Sequence, residues 1–170
     1  MRFFGLNCVI LREINVVMDY DIEDMRRHDV VLLCGISGSG KTTLARQLEQ
    51  YGYTRLSLDG IIWERYGDAF AGFDAERRRG IFMEGGEELR RRLETLLRAG
   101  ARVVVDATMC KRAAREAVGE LCSRLRASVT LVFLDVDCET LAARLATRRG
   151  TGPDDQIVTP EELDGFCAGF

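Results

Sequence analysis

A chain of 170 residues has the size of one domain and is too short for two ordinary ones. With 46% apolar and 30% charged residues and only 2 prolines, it has the composition of a chain that buries a core, which excludes the disordered and collagen-like classes. Its 24 basic and 27 acidic residues leave a net −3, so no global cationic field exists to hold a nucleic-acid backbone.

Only Lys41 and Lys111 are lysines, and the other 22 basic residues are arginines, a bias of composition that by itself points to no ligand. The cysteines (Cys8, Cys34, Cys110, Cys122, Cys138, Cys167) form no C-x-x-C pair and His28 has no second histidine, so neither a zinc centre nor a disulfide framework is expected. An apolar run over residues 3–11 is followed by Arg12-Glu13 where a signal peptide would carry small residues, and no run reaches membrane-spanning length. The expected setting is cytoplasmic and reducing, with no membrane partner.

Residues 1–28 form an N-terminal extension with Val9-Ile10-Leu11 and Val16-Val17-Met18, which suits either an extra edge strand or an arm. From residue 29 onward short apolar runs alternate with longer helical stretches, the pattern of an α/β fold with a parallel sheet covered by helices. Residues 30–34, 102–105 and 129–134 are β-branched and nearly continuous, as central strands buried on both faces should be. Residues 54–58 are mixed and belong nearer an edge. The segment 42–51 predicts a helix. Over 74–98, Leu89, Leu93, Leu96 and Leu97 fall on one helical stripe, with an interruption expected at Gly85-Gly86. Helices are also predicted over 111–126 and 138–149, the second capped by Asp137. Thr159-Pro160-Glu161-Glu162 opens a last helix that runs to Phe170.

Directly after the first of these strands stands Gly35-Ile36-Ser37-Gly38-Ser39-Gly40-Lys41-Thr42-Thr43, which satisfies G-x-x-x-x-G-K-[ST] between a strand and a helix. Its glycines let the backbone wrap an anion with N–H groups turned inward, and the helix that follows adds its positive end. Lys41 brings a full charge to the β/γ oxygens of a nucleoside triphosphate, and Thr42 offers a hydroxyl to Mg²⁺. Arginine, which this chain uses elsewhere, is bulkier and planar and would not replace Lys41 well.

Magnesium asks for a further carboxylate at a strand end. Asp106 is preferred, because Ala107-Thr108 leads from it into the crevice where α/β sheets bind ligands, and Asp135 is the alternative. Ser57-Leu58-Asp59-Gly60 ends at the same crevice, so Asp59 reads either as the acceptor of a hydroxyl's proton or as half of an Asp-Gly turn. Arg144 and Arg148 lie four apart, with Arg149 beside them and Gly150-Thr151-Gly152-Pro153 following. They make a candidate lid over 144–160 whose guanidinium groups match charge on transferring phosphoryl oxygens, against the plainer reading of a solvated helix end.

The glycine loop, Ser57-x-Asp59, the run from Val103 to Thr108 followed by Lys111-Arg112 and Arg115, and Leu131 to Asp135 followed by Leu141-x-x-Arg144 together resemble the small P-loop kinases. These include gluconate kinases, polynucleotide 5′-hydroxyl kinases, chloramphenicol phosphotransferases and zeta-toxin-like enzymes. The similarity runs from about Asp29 to Phe170. It implies an adenylate-kinase-like, three-layer P-loop NTPase fold with a mostly parallel sheet of four to five strands. It also implies ATP on Gly35, Ser37, Gly38, Ser39, Gly40, Lys41, Thr42 and Thr43, and Mg²⁺ on Thr42 and Asp106. Asp59 would act as base, Arg112 or Arg115 would hold acceptor or phosphate, and Arg144 and Arg148 would act from the lid.

Two positions depart from the pattern. Met109 stands where many relatives have Asn, and relatives continue beyond the aromatic residue matching Phe170 into a last strand and an adenine-side loop. Either the N-terminal segment takes that strand's place, or the adenine site is open, or the chain is a fragment. The implied function is ATP- and Mg²⁺-dependent transfer of the γ-phosphate to a hydroxyl of a small molecule or a polynucleotide end, the latter disfavoured by the net charge. The alternative is a nucleotide-gated switch without an acceptor, and the oligomeric state is left open.

Overall fold

Every residue of Val30–Cys34 is buried, with Val30 and Leu32 on one face and Val31 and Leu33 on the other, so this strand runs through the middle of a sheet covered on both sides. The computed structural model describes residues 2–3, 6–11 and 19–169. In chain order these form β1 (Arg2–Phe3), β2 (Leu6–Leu11), α1 (Asp19–Met25), β3 (Val30–Cys34), α2 (Lys41–Glu49), β4 (Tyr53–Ser57), α3 (Leu58–Tyr66), a 3-10 turn (Gly67–Gly72), α4 (Ala75–Arg98), β5 (Arg102–Asp106), α5 (Arg112–Leu125), β6 (Val129–Leu134), α6 (Cys138–Leu145), a second 3-10 turn (Pro153–Asp155) and α7 (Pro160–Gly169).

The strand order is β1-β2-β6-β3-β5-β4. Strands β2, β6, β3, β5 and β4 are parallel, and β1 turns back antiparallel on β2. The mixed strand β4 is indeed an edge. At the other side Leu6–Leu11 lies beside β6 with Leu11 opposite Leu134, so the segment upstream of β3 supplies sheet next to β6. Val16-Val17-Met18 lie outside the described residues, as does Phe170.

The pleat divides the core in two. Val30, Leu32, Val103 and Val105 face Leu89 and Leu93 of α4 and Val118 and Leu121 of α5. Val31, Leu33 and Val104 face Leu44 and Leu48 of α2 and Met25 of α1. The result is three layers, with all the parallel strands ending at the edge where the glycine loop begins. A smaller apolar cluster of Ile36, Leu141, Leu145 and Leu163 fastens α6 and α7 to that loop.

Four expectations are corrected. Gly85-Gly86 does not interrupt α4, which is continuous from Ala75 to Arg98. Gly85 is there for close packing: a Cβ on it would stand 3.0 Å from Leu58 and 3.3 Å from Ile62 of α3. Leu58 is not a strand residue. Ser57 caps a new helix by accepting from the Gly60 N–H, which makes Leu58-Asp59 a first helical turn. Helix α6 stops at Leu145 rather than Arg149, because the Arg149 N–H bonds to Asp155 and the chain turns into a loop. Finally, Cys138 and Cys167 are disulfide-bonded and tie α6 to α7, a pairing that cysteine spacing alone did not disclose. No helix among the described residues is long and apolar enough to cross a membrane.

Candidate active site

The glycine loop is shaped by residues that other side chains cannot replace. Gly38 and Gly40 hold φ of 86° and 97°, in the left-handed region, and a Cβ on Gly38 would press within 3.2 Å of Leu145. Ser39 is fully buried with its Oγ lacking a hydrogen-bond partner, so a polar atom is aimed into the loop's interior, the kind of donor a phosphate oxygen satisfies. Thr43 lies exposed on the first turn of α2.

Lys41 is buried, and its Nζ donates to the carbonyls of Gly35 and Ile36, both at 2.8 Å. An ammonium has three donors, so one N–H remains for a ligand. Burial lowers its pKa from the ordinary lysine value, while the charges of Asp106 and Asp59 oppose that fall. Thr42 donates its hydroxyl to Asp106 Oδ2 at 3.0 Å. One hydroxyl and one carboxylate side by side suit Mg²⁺, which keeps most of its water and needs few protein ligands. Asp135 is exposed at the end of β6 and is not Thr42's partner.

Asp59 opens α3 at the same crevice. Its pKa is raised to about 6, first by burial and then by the negative charges of Asp106 and Asp154, with Lys41 and Arg148 pulling the other way. From the opposite side Arg144 donates to Gly38 O at 3.3 Å, and Arg148 to Ser37 Oγ at 3.2 Å and Gln156 O at 3.1 Å. Because α6 ends early, Arg148 reaches the loop from the turn that follows and not from the helical face shared with Arg144. Arg112 and Arg115 are engaged elsewhere. Arg112 pairs with Glu116 on the surface of α5, and Arg115 donates to the carbonyls of Met109 and Cys110, bracing the turn after β5.

The sequence reading missed Arg55, Arg46 and Asp154. Arg55 projects from β4 and donates its Nε to Asp106 Oδ2 at 2.9 Å, while its two terminal nitrogens grip both oxygens of Asp154. Burial works against its charge, yet the bonds to Asp154 and Asp106 hold its pKa above the ordinary arginine value. Arg46, one turn after Thr42 on α2, reaches Asp154 at 2.8 Å. The available signal was an arginine inside a strand whose neighbours Tyr53 and Leu56 are buried.

A family model described as an AAA domain matches residues 30–170. The chain is 31% identical over 139 residues to a shikimate kinase of Parabacteroides distasonis, an overlap of 81% of this chain and 76% of that protein. A chain in the structure of the Pnkp1/Rnl/Hen1 RNA repair complex superposes with a TM-score of 0.65 at 19% identity, over 82% of this chain and 43% of that one. A gluconokinase of Sinorhizobium meliloti 1021 gives 0.54 at 23%, over 83% and 74%. These two structures show a shared fold.

Proposed function

The chain belongs to the AAA-domain family, among its small P-loop kinases, and from that premise we propose that it transfers the γ-phosphate of ATP to a hydroxyl group of a small molecule, with Mg²⁺. One observation carries the reading: Lys41, the Thr42–Asp106 bond, Arg144 and Arg148 converge on a single glycine loop, in the same charge network as Asp59, whose pKa is raised to about 6. Residues 29–170 are the catalytic domain in this reading, with 144–160 as its lid.

Loop amides from Gly35 to Thr43, the third N–H of Lys41 and the Ser39 hydroxyl bind the polyphosphate. Thr42 and Asp106 would hold Mg²⁺, which would supply positive charge to the polyphosphate. Asp59 is ionised above pH 6 and takes the proton of the acceptor hydroxyl as that hydroxyl's oxygen bonds to the γ-phosphorus and the bond from phosphorus to the β–γ bridging oxygen breaks, releasing ADP. Arg148 and Arg144 offer planar donors to the phosphoryl oxygens and exclude water from above the loop. Nearly all the rate comes from positioning and electrostatics, since such transfers ask little covalent chemistry of the protein. Arg112 and Arg115 retain a part in acceptor binding only by leaving their present partners. A polynucleotide end is disfavoured as acceptor by the net charge of −3.

The test is incubation with γ-labelled ATP and Mg²⁺ against shikimate, gluconate, other sugars and alcohols, nucleosides and 5′-hydroxyl oligonucleotides. Label on a small-molecule hydroxyl, lost in Asp59→Asn, is expected. Label on none, with ATP still bound, would replace the kinase by a nucleotide-gated switch.

A further inference from the structure

Arg55 joins three parts of the site that the glycine loop does not itself connect. Its side chain is only 15% exposed, and its guanidinium sits between Asp106, 5% exposed, and Asp154, 22% exposed. Asp106 Oδ2 accepts from Arg55 and from Thr42 at once, so the guanidinium fixes which oxygen and which lone pairs the strand carboxylate turns toward α2. Asp154 belongs to the lid segment, in the 3-10 turn Pro153–Asp155. The loop that presents it is stiff, because Asp155 ties it internally by accepting from the Arg149 and Thr151 N–H groups and the Thr151 hydroxyl. Arg148, on the same segment, reaches Ser37 of the glycine loop. A fork that holds two carboxylates in a fixed plane therefore sets both the aim of Asp106 and the height of the lid.

We infer that Arg55 is a positioning residue that couples the metal-side carboxylate to the lid, with Asp154 as the lid's latch, an inference that rests on the kinase reading above. A divalent cation held by Thr42 and Asp106 would compete with Arg55 for the Asp106 carboxylate, whereas the Arg55–Asp154 half of the fork lies clear of Thr42. That remaining half would keep the lid registered over the glycine loop. Lysine in place of Arg55 keeps the charge but, as a point donor, does not hold both carboxylates in plane.

Hydrogen exchange of amides 149–157 tests the latch without any ligand. Asp154→Asn is expected to speed their exchange about tenfold or more, the weight of a partly buried bidentate charge pair, while β3 and β5 amides keep their protection. Arg46→Ala, which removes an exposed arginine from the same carboxylate, is expected to change it less than about twofold. In turnover, Asp154→Asn lowers kcat with KM for ATP nearly unchanged, Asp154→Glu recovers part of the loss, and Arg55→Lys raises the Mg²⁺ concentration for half-maximal rate several-fold. Unchanged lid exchange in Asp154→Asn, or exchange raised equally throughout the sheet, overturns the coupling. Failure of the kinase reading looks different: the wild type labels no acceptor, whatever the exchange of its variants.

Discussion

Asp59→Asn separates catalysis from stability in opposite directions. Asparagine has nearly the same shape but accepts no proton, so turnover should fall by about 10²–10⁴-fold, the usual worth of a general base, while ATP still binds. Stability moves the other way. The folded-state pKa of Asp59 is about 6 against 3.8 for an ordinary aspartate, so between these values the native state holds a proton that the unfolded state has released. Native stability from this group is therefore lost as pH rises from about 4 to about 6, and the charged carboxylate weighs against the fold at neutral pH. Linkage gives a disadvantage on the order of 2 kcal/mol at pH 5 and 3 kcal/mol at pH 7.5, both upper values because Lys41 loses a neighbouring charge in the variant. Asp59→Asn should raise Tm at pH 7.5 by up to about 6–12 °C, and by less at pH 5. Calorimetric scans of both proteins at the two pH values measure this, and the wild-type kcat should climb with pH through a step near 6. A variant no more stable than wild type at pH 7.5, or a gap that does not shrink at pH 5, would refute the reasoning that burial and neighbouring carboxylates raise this group.

Two adjacent glycines make a matched pair in α4. Gly86 has nothing within 4 Å of an added Cβ, so Gly86→Ala should stabilise by about 0.8–1 kcal/mol through helix propensity, whereas Gly85→Ala meets Leu58 at 3.0 Å and should gain nothing or lose about 1 kcal/mol, as read by denaturant melts. Reduction of Cys138–Cys167, 29 positions apart in the chain, removes a chain constraint worth up to about 3.6 kcal/mol, so Tm in reductant should drop and exchange of α7 amides should rise before that of the sheet. An unchanged Tm in reductant would mean that the Ile36–Leu163 cluster alone holds α7.

The fold was legible because its central strands β3, β5 and β6 are mostly Val and Leu and its helices carry apolar stripes, signals that act locally along the chain. The glycine loop was legible for the same reason: consecutive positions impose one backbone path. What the sequence hid depends on contacts between distant segments. Gly85-Gly86 carries the local signature of a break, and only the approach of Leu58 and Ile62 reveals why a glycine sits inside a continuous helix. Arg144 and Arg148 both meet the loop, but the helix that was to present them ends between the two, where Asp155 captures the Arg149 N–H. Arg55 and Asp154 are 99 positions apart, and no pattern in either neighbourhood announces the other. Cys138 and Cys167 lack a recognisable spacing because helix docking, not a motif, brings them together.

Titration calorimetry with Mg²⁺-ATP reaches the central claim most directly, that the amides of residues 35–43 with Lys41 grip a polyphosphate. One-site binding is predicted for the wild type, weakened at least about tenfold by Lys41→Met and left largely intact by Asp59→Asn. No heat from the wild type, or equal affinity after Lys41→Met, would contradict it.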